Sequence, residues 1–306
     1  MASVKRSLPA IFPLRLDLTV WALRRRRNNT IDRWDGHQYA RIIIINNDPV
    51  KISVTQQDPA SEPELSMYFH GEPDDTGQDM EGVMRLMQKV LGVELSMEPF
   101  YRLMKNDEYV GPLVRQFYGV KPPRFPTIFE ALVNSIACQQ VSLDVGIILL
   151  DRLAEKFGLM FDGATPSYSF PAPDGLANVP IEEIKKLGFS YQKARSIKEL
   201  AAAITSGKID LSKLEEMENQ EAVDYLTALR GIGRWSAEYV LLRGLGRLDM
   251  FPGDDVGAQN NLRRLFNLDH KPGYSEIREL TARWRPYEGL IYFHLLLNKL
   301  HLNGVL

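Results

Sequence analysis

The sequence predicts an α+β fold: a small N-terminal antiparallel β-sheet with helices packed on it, over residues 1–100, then an α-helical bundle of about 200 residues, sizes ordinary for domains. Three observations carry this expectation. Short β-branched runs separated by turn residues fill the first part of the chain. Apolar residues three and four apart begin at Met80. After Pro122-Pro123 that helical spacing persists to the C-terminus, broken only by Gly/Pro/Asp clusters.

Taken in order, Leu14, Leu16, Leu18 and Val20 alternate with other residues, the period of a half-buried strand. Residues 40–45, 51–55 and 64–69 are further strands, and Asn46-Asn47-Asp48-Pro49 between two of them predicts a hairpin. Met80, Val83, Met84, Met87 and Leu91 then mark the first amphipathic helix, a methionine stripe that belongs in the core. Thr127-Ile128-Phe129-Glu130 has capping-box spacing, followed by the apolar stripe Phe129, Leu132, Val133 and Ile136. Later helical segments fall near 142–157, 181–187, 191–206, 219–229, 234–246, 256–267 and 286–300. No repeat of solenoid length is present.

Composition excludes several classes. The 306 residues are 44% hydrophobic with 37 basic and 39 acidic residues, a net charge of −2, which is not that of a generic polycation. The distribution is uneven: residues 1–57 hold ten bases against four acids, and 58–83 hold eight acids and no base. The run Arg24-Arg25-Arg26-Arg27 reads either as a solvated turn between strands or as a phosphate contact that salt would weaken. One cysteine, Cys138, excludes a disulfide framework, a four-cysteine zinc site and a four-cysteine iron–sulfur cluster; a buried apolar role is expected for it. No apolar run approaches the ~20 residues that span a bilayer, and Pro9 and Pro13 follow Lys5-Arg6 where a signal peptide needs an apolar core. A cytoplasmic, reducing location without a membrane partner is expected.

The chemistry concentrates in residues 226–259, LTALRGIGRWSAEYVLLRGLGRLDMFPGDDVGAQ. Leu229-Arg230-Gly231-Ile232-Gly233 joins two helical segments as a tight Gly-x-Gly hairpin whose glycines permit positive φ and close approach. The unpaired N–H groups opening the second helix, with its dipole, favour an anion such as a phosphate diester. Arg230, Arg234, Arg243 and Arg247 oppose only Glu238, a local positive bias. Trp235 and Tyr239, four apart, share one helix face. Pro252-Gly253-Asp254-Asp255 precedes another helix with Asp255 at its N-cap, and the stretch from Gly246, able to span up to ~25 Å, can return that aspartate beside Trp235. Each feature alone has a plain structural reading: a helix turn, core aromatics, a cap. Together they hold a DNA backbone, a base and a charge partner.

This segment resembles the helix-hairpin-helix/Gly-Pro-Asp superfamily of DNA base-excision glycosylases, over nearly the whole chain, and within it the DNA-3-methyladenine glycosylase II (AlkA-type) branch. Ile136-Ala137-Cys138-Gln139-Gln140-Val141-Ser142 is similar to that branch's Gln-x-Val-Ser element, and Arg283-Trp284-Arg285-Pro286-Tyr287 to its Arg-Trp-x-Pro-aromatic element. The resemblance implies a two-lobed helical region, one lobe from 128–247 with the helix-hairpin-helix and a second from 101–127 and 248–306. It also implies that Asp255 is the catalytic carboxylate, a role that suits a charge able to stabilise a deoxyribosyl oxocarbenium ion and orient water. Spacing alone does not separate it from Asp254. Trp235 and Tyr239 match aromatic base-pocket positions, where a cationic alkylated purine gains roughly 0.5–2 kcal/mol from an indole face, and Trp21 adds a wall from the first domain.

Arg230, Gly231, Ile232, Gly233 and Arg234 in the hairpin, with Gln139 and Gln140, are the implied DNA contacts, Gln140 standing where relatives insert a wedge. The backbone carbonyls of Thr227, Leu229 and Gly231 correspond to a site for a monovalent cation, Na⁺ or K⁺, linked to DNA and not to bond cleavage; no catalytic cofactor is implied. Members that nick the strand carry Lys where this chain has Trp235, so hydrolysis alone is expected, leaving an abasic site for a downstream AP endonuclease. The missing cysteines separate the chain from the cluster-bearing endonuclease III branch. Two departures bear on substrate range: Leu296 stands where some relatives place an aromatic, and Glu288-Gly289 where relatives often carry Arg-Ser.

The implied function is a monomeric, monofunctional glycosylase acting on alkylated bases, 3-methyladenine-like purines, in double-stranded DNA. A glycosylase for deaminated bases such as hypoxanthine and a non-catalytic helix-hairpin-helix DNA-binding module are the alternatives.

Overall fold

The computed structural model describes residues 3–57, 64–70, 77–163 and 166–306; five of the eight acids of the segment 58–83 lie outside them. Five strands, β1 (Ser3–Leu8), β2 (Arg33–Trp34), β3 (Gln38–Ile45), β4 (Asp48–Gln56) and β5 (Leu65–His70), form an antiparallel sheet in the order β1-β5-β4-β3-β2. Between β3 and β4 the two-residue turn places Asn46 at φ 49° and Asn47 at φ 68°, the left-handed pair that a tight hairpin demands. Leu8, Ile52, Val54, Leu65, Met67 and Phe69 are fully buried. Helix α2 (Gly77–Leu91) lays Met80, Val83, Met87 and Leu91 into the same core, as the methionine stripe requires.

The segment expected as a strand from Leu14 is instead helix α1 (Leu16–Arg24). Its apolar residues are buried on two sides. Leu16, Val20 and Leu23 join the sheet core, whereas Leu18 and Ala22 join the core of the helical region. A helix sandwiched between two cores carries apolar residues nearly all round, and over seven residues that pattern passes for alternation.

The rest is helical: α3 (Glu98–Met104), α4 (Gly111–Gln116), α5 (Ile128–Cys138), α6 (Leu143–Phe157), the ribbon β6 (Met160–Phe161) and β7 (Ser167–Tyr168), α7 (Pro173–Ala177), α8 (Ile181–Lys186), α9 (Tyr191–Thr205), α10 (Asn219–Thr227), α11 (Arg234–Val240), α12 (Val256–Leu265), α13 (Tyr274–Thr281) and α14 (Glu288–Leu302). Helix α5 is buried from Phe129 to Ala137 and packs on α6, α9 and α11. Thr127 caps it by accepting the Glu130 N–H at 3.0 Å. The reciprocal half of the capping box is absent, because the Glu130 carboxylate binds Arg41 of β3 at 2.7 Å. Arg41 also pairs with Asp32 at 2.7 Å, and Tyr39 donates to the same Asp32 at 2.8 Å. This buried network locks the sheet onto α5.

The four-arginine run is neither a solvated turn nor a free phosphate contact. Arg24 and Arg25 are buried. Arg24 donates to the carbonyls of Trp34 and Arg27, Arg25 to Asn134, and Arg27 to the carbonyls of Gly304 and Val305, while Arg26 pairs with Asp144 at 3.0 Å. Their guanidinium groups tie the end of α1 to β2, α5, α6 and the chain beyond α14, while the carbonyls of Leu23 and Arg24 in the last turn of α1 accept from Arg243 and Asn29. Helix α14 crosses two cores: Phe293, Leu297 and Leu300 lie in the central one, and Leu290, Ile291 and Leu295 pack with α3, α12 and α13 in another.

Candidate active site

Helices α10 and α11 flank the Gly-x-Gly turn. Leu226, Ile232 and Ala237 are buried and seat the hairpin on the core, so Ile232 offers its backbone and not its side chain to solvent. Gly231 adopts φ +80°, and a Cβ there would lie 2.4 Å from Ser196 Oγ on α9. Two constraints therefore require glycine. At Gly233, the N-cap of α11, a Cβ would meet nothing within 4 Å. That face is open, and the first N–H groups of α11 end on it.

The corner after α5 is tied to this hairpin. Gln139 donates its side-chain amide to the Gly231 carbonyl at 2.7 Å and to Ser236 Oγ at 3.0 Å. Lys193 of α9 donates to the carbonyls of Ala137 and Gln139 at 2.9 and 2.7 Å, a clamp with no signature in the sequence. Gln140, beyond the clamp, is exposed at φ 53°. The two adjacent glutamines thus differ: one binds the hairpin, the other projects.

Asp255 caps α12, its Oδ1 accepting the Ala258 N–H at 2.7 Å. Its Oδ2 accepts from Trp235 Nε1 at 3.1 Å and from the Tyr292 hydroxyl at 3.3 Å. The loop from Gly246 does return the aspartate to the first turn of α11. Asp254 faces elsewhere and pairs with Arg234 at 2.8 Å, which separates the two adjacent carboxylates by geometry. Glu238, buried on α11, holds the loop by accepting the Gly253 N–H at 3.0 Å and the Tyr274 hydroxyl at 2.6 Å. Burial raises the Glu238 carboxyl above its ordinary value, and these two donors oppose that rise.

The rings of Trp235 and Tyr239 lie 5.5 Å apart and 30° from parallel. Tyr239 is buried and donates to Asn134 Oδ1 at 3.1 Å. Burial first, then the Asp255 charge, pushes the Tyr292 phenol far up, so it stays a donor. Tyr292 lies one turn before Leu296, so α14 brings an aromatic side chain to Asp255 four residues from the position where some relatives carry one. Its only signal was its position one turn from the expected one. Trp21 is on α1, not on a strand, and packs against the same central core as Trp235 and Tyr292. Cys138 is half-buried at the end of α5, its Sγ 3.9 Å from Asn134 Oδ1.

The positive bias expected at the hairpin is dispersed. Arg230 pairs with Glu199 at 2.9 Å; Arg234 pairs with Asp254 and lies 3.6 Å from the centre of the Tyr274 ring. Arg247 donates to Asn219, Leu214 and Met217, and Arg243 is fully buried. Side-chain charges close in sequence here turn to different partners in the fold. The hairpin presents outward its backbone together with the half-exposed, ion-paired side chains of Arg230 and Arg234. Among the described residues no helix is long and apolar enough to cross a membrane.

The family description "HhH-GPD superfamily base excision DNA repair protein" matches residues 133–286, half of the chain and all of the geometry above except α1 and Tyr292. The chain is similar to a DNA-3-methyladenine glycosylase of Bacillus subtilis (strain 168), 26% identical over 291 residues that cover 94% of each. A 3-methyladenine DNA-glycosylase from Archaeoglobus fulgidus superposes with a TM-score of 0.82 at 26% identity, covering 96% of this chain and 97% of that one. The Schizosaccharomyces pombe 3-methyladenine DNA glycosylase Mag1, in complex with abasic DNA, superposes with a TM-score of 0.57 at 26% identity over 65% of this chain and 95% of its own. With the hairpin, the Gly-Asp-Asp loop and the aromatic residues around Asp255 in one place, the chain belongs to the helix-hairpin-helix/Gly-Pro-Asp superfamily of base-excision DNA repair proteins.

Proposed function

We propose that this protein is a monomeric, monofunctional DNA glycosylase that extrudes alkylated purines of the 3-methyladenine kind from duplex DNA and hydrolyses their N-glycosidic bonds. The observation that carries this reading is the Asp255 carboxylate, held by the aromatic donors Trp235 and Tyr292 beside the first turn of α11, where the hairpin opens. The B. subtilis and A. fulgidus relatives, named for 3-methyladenine, support the substrate class.

The strand's phosphates meet the N–H groups of Gly233, Arg234 and Trp235, an anion site of helix-terminal donors. Extrusion of the damaged base costs a few kcal/mol, least where stacking or pairing is already weak. Gln140 fills the gap and hydrogen-bonds the orphaned base. The lesion stacks on Trp235 and Trp21, whose electron-rich faces attract a cationic alkylated base, while the buried Tyr239 backs the Trp235 ring from within. As the C1′–N bond breaks, the base leaves neutral and the sugar becomes an oxocarbenium ion, which the fixed Asp255 carboxylate stabilises. Water oxygen then bonds C1′ as one of its protons passes to Asp255 or to solvent. With Trp235 in place of a lysine no Schiff base forms, so an intact abasic strand passes to an AP endonuclease. The carbonyls of Leu229 and Gly231 already accept the Ile232 N–H at 3.1 Å and the Gln139 amide at 2.7 Å. Each retains a second lone pair, so with Thr227 they fit a weakly held monovalent cation that would bridge to DNA.

Base release from methylated duplex DNA tests the reading. Asp255→Asn is expected to slow release by at least ~100-fold while DNA binding persists; equal release by both proteins would overturn it. Protein-dependent nicking without alkali would overturn the hydrolysis-only assignment. The alternative of a pure DNA-binding module predicts no release by either protein.

A further inference from the structure

A cavity of about 540 Å³ lies where β2, β3 and β4 meet the end of α1 and the end of β6. Neither the hairpin nor Asp255, Trp235 or Tyr292 lines it. Its floor follows from the register of the sheet. Arg33 of β2 stands opposite Ala40 of β3, and Ala40 opposite Ser53 of β4, so these side chains share one face; Lys51, two residues before Ser53, joins them. Tyr39, Ile52 and Val54 alternate to the other face and fill the sheet core. Between two long cationic side chains, the small Ala40 leaves the space open.

Four cations line this space, Arg24, Arg27, Arg33 and Lys51, against one acid, Asp35. Among the described residues none of the four is in ion-pair contact with a carboxylate. Asp35 is committed to its own turn, accepting the His37 and Gln38 N–H groups at 2.9 and 2.7 Å. Arg24 is only 5% exposed; it donates to the carbonyls of Trp34 and Arg27, and its Nε is buried without a partner. Burial lowers its guanidinium from the ordinary value, and the charges that oppose this, Asp32 and Asp151, are engaged by Arg41 and by the Thr30 N–H. Arg27 donates to the carbonyls of Gly304 and Val305, and Arg33 to those of Thr30 and Pro166. Carbonyls orient these donors but cancel no charge. Lys51 Nζ has no hydrogen-bond or ion-pair partner among the described residues.

Fixed like charges around one void repel each other, and an anion with several oxygens relieves that repulsion most fully. The volume falls within the roughly 300–1,000 Å³ of small-ligand sites. We infer that this cavity is a binding site for an oligophosphate group, inorganic or carried as the tail of a nucleotide, separate from the catalytic site and independent of the glycosylase reading. Lys51 Nζ and the unused Nη1 of Arg33 donate to phosphate oxygens, while Arg24 and Arg27, held by carbonyls, supply the surrounding positive field. The excess of bases in residues 1–57, which the hairpin does not draw on, is put to use here.

Isothermal titration of the full chain with sodium tripolyphosphate, ATP and adenosine, without divalent cations, is the test. Tripolyphosphate and ATP are expected to bind one to one and adenosine not at all. Lys51→Glu is expected to weaken tripolyphosphate at least ~10-fold, and Lys51→Arg, which keeps the charge, to stay within ~3-fold of wild type. Base release by Lys51→Glu in the absence of oligophosphate is expected to match wild type, which shows the fold intact. ATP tighter than tripolyphosphate supports a nucleotide tail, and equal affinities the oligophosphate alone. No binding of either, or equal affinity in wild type and Lys51→Glu, overturns the inference. Binding lost in Gly233→Ala but kept in Lys51→Glu puts the anion on the hairpin and overturns it. Displacement of tripolyphosphate by an undamaged duplex makes the cavity part of the DNA-binding surface and overturns the small-ligand assignment.

Discussion

Adjacent residues of one type take different tasks once the chain is folded. Asp254 neutralises Arg234 while Asp255 sits between an indole and a phenol; Gln139 binds the hairpin while Gln140 projects. The Tyr292 hydroxyl is one of two side-chain donors on Asp255 Oδ2, and a hydrogen bond to a charged group is worth about 1.5–3 kcal/mol. Tyr292→Phe keeps the ring and removes that donor. It is expected to slow base release roughly tenfold in single-turnover assays, since a looser carboxylate spends less time facing the sugar. The two hairpin glycines give a contrasting pair. Gly231→Ala meets both a positive φ and Ser196, so it should destabilise the fold by roughly 1–3 kcal/mol in chemical denaturation. Gly233→Ala meets no neighbour within 4 Å and should leave stability nearly unchanged. By crowding the face a phosphate approaches, it should weaken DNA binding at least ~10-fold in a titration.

Elements are joined by polar ties at a few points. The Arg41 network is the tie between β3 and α5, with both carboxylates buried. Arg41→Leu leaves Asp32 and Glu130 without their cation, and breaking such a pair typically costs about 3–5 kcal/mol. A urea melt should show that loss. Replacing Glu130 by leucine in the same chain should recover part of it, because one of the two stranded charges is then gone. Capping-box spacing at Thr127–Glu130 was legible and the cap forms, but Glu130 answers to a strand 89 residues away and not to its own helix. Local spacing describes a helix start; it cannot register a competing guanidinium from another domain.

Across the whole molecule, α14 and α1 each belong to two cores and so tie the three together. His294 of α14 reports on that joint. It is fully buried beside Phe100 with Nδ1 on the Leu290 carbonyl at 2.7 Å and Nε2 without a partner, and burial pulls it down to about 4 from 6.5. The folded protein resists protonating it, so the unfolded chain binds the proton first. Stability from this group is complete above pH 6.5 and is lost as pH falls towards 4. By about pH 5 the loss should reach about 2 kcal/mol. Urea denaturation at pH 7 and 5 checks it: wild type should weaken by that margin relative to His294→Gln, which lacks the titrating ring.

The order of sheet then helices, a hairpin at Asn46–Pro49 (though its turn is only Asn46-Asn47, with Asp48 and Pro49 already in β4), the glycine hairpin and the carboxylate after it could be read from the chain, because each depends on neighbours a few residues away. Helix α1, Tyr292 beside Asp255, the Lys193 clamp and the fate of the arginines could not. Each of these depends on what lies opposite in space: a second core on the far side of α1, a helix arriving from the C-terminus, carbonyls of another turn, acids from other helices. Periodicity reports which residues avoid water, but burial on two sides erases the period, and a charge in sequence says nothing of its partner. Identity of the reactive group was a local matter; its surroundings, which govern how it acts, were decided by packing.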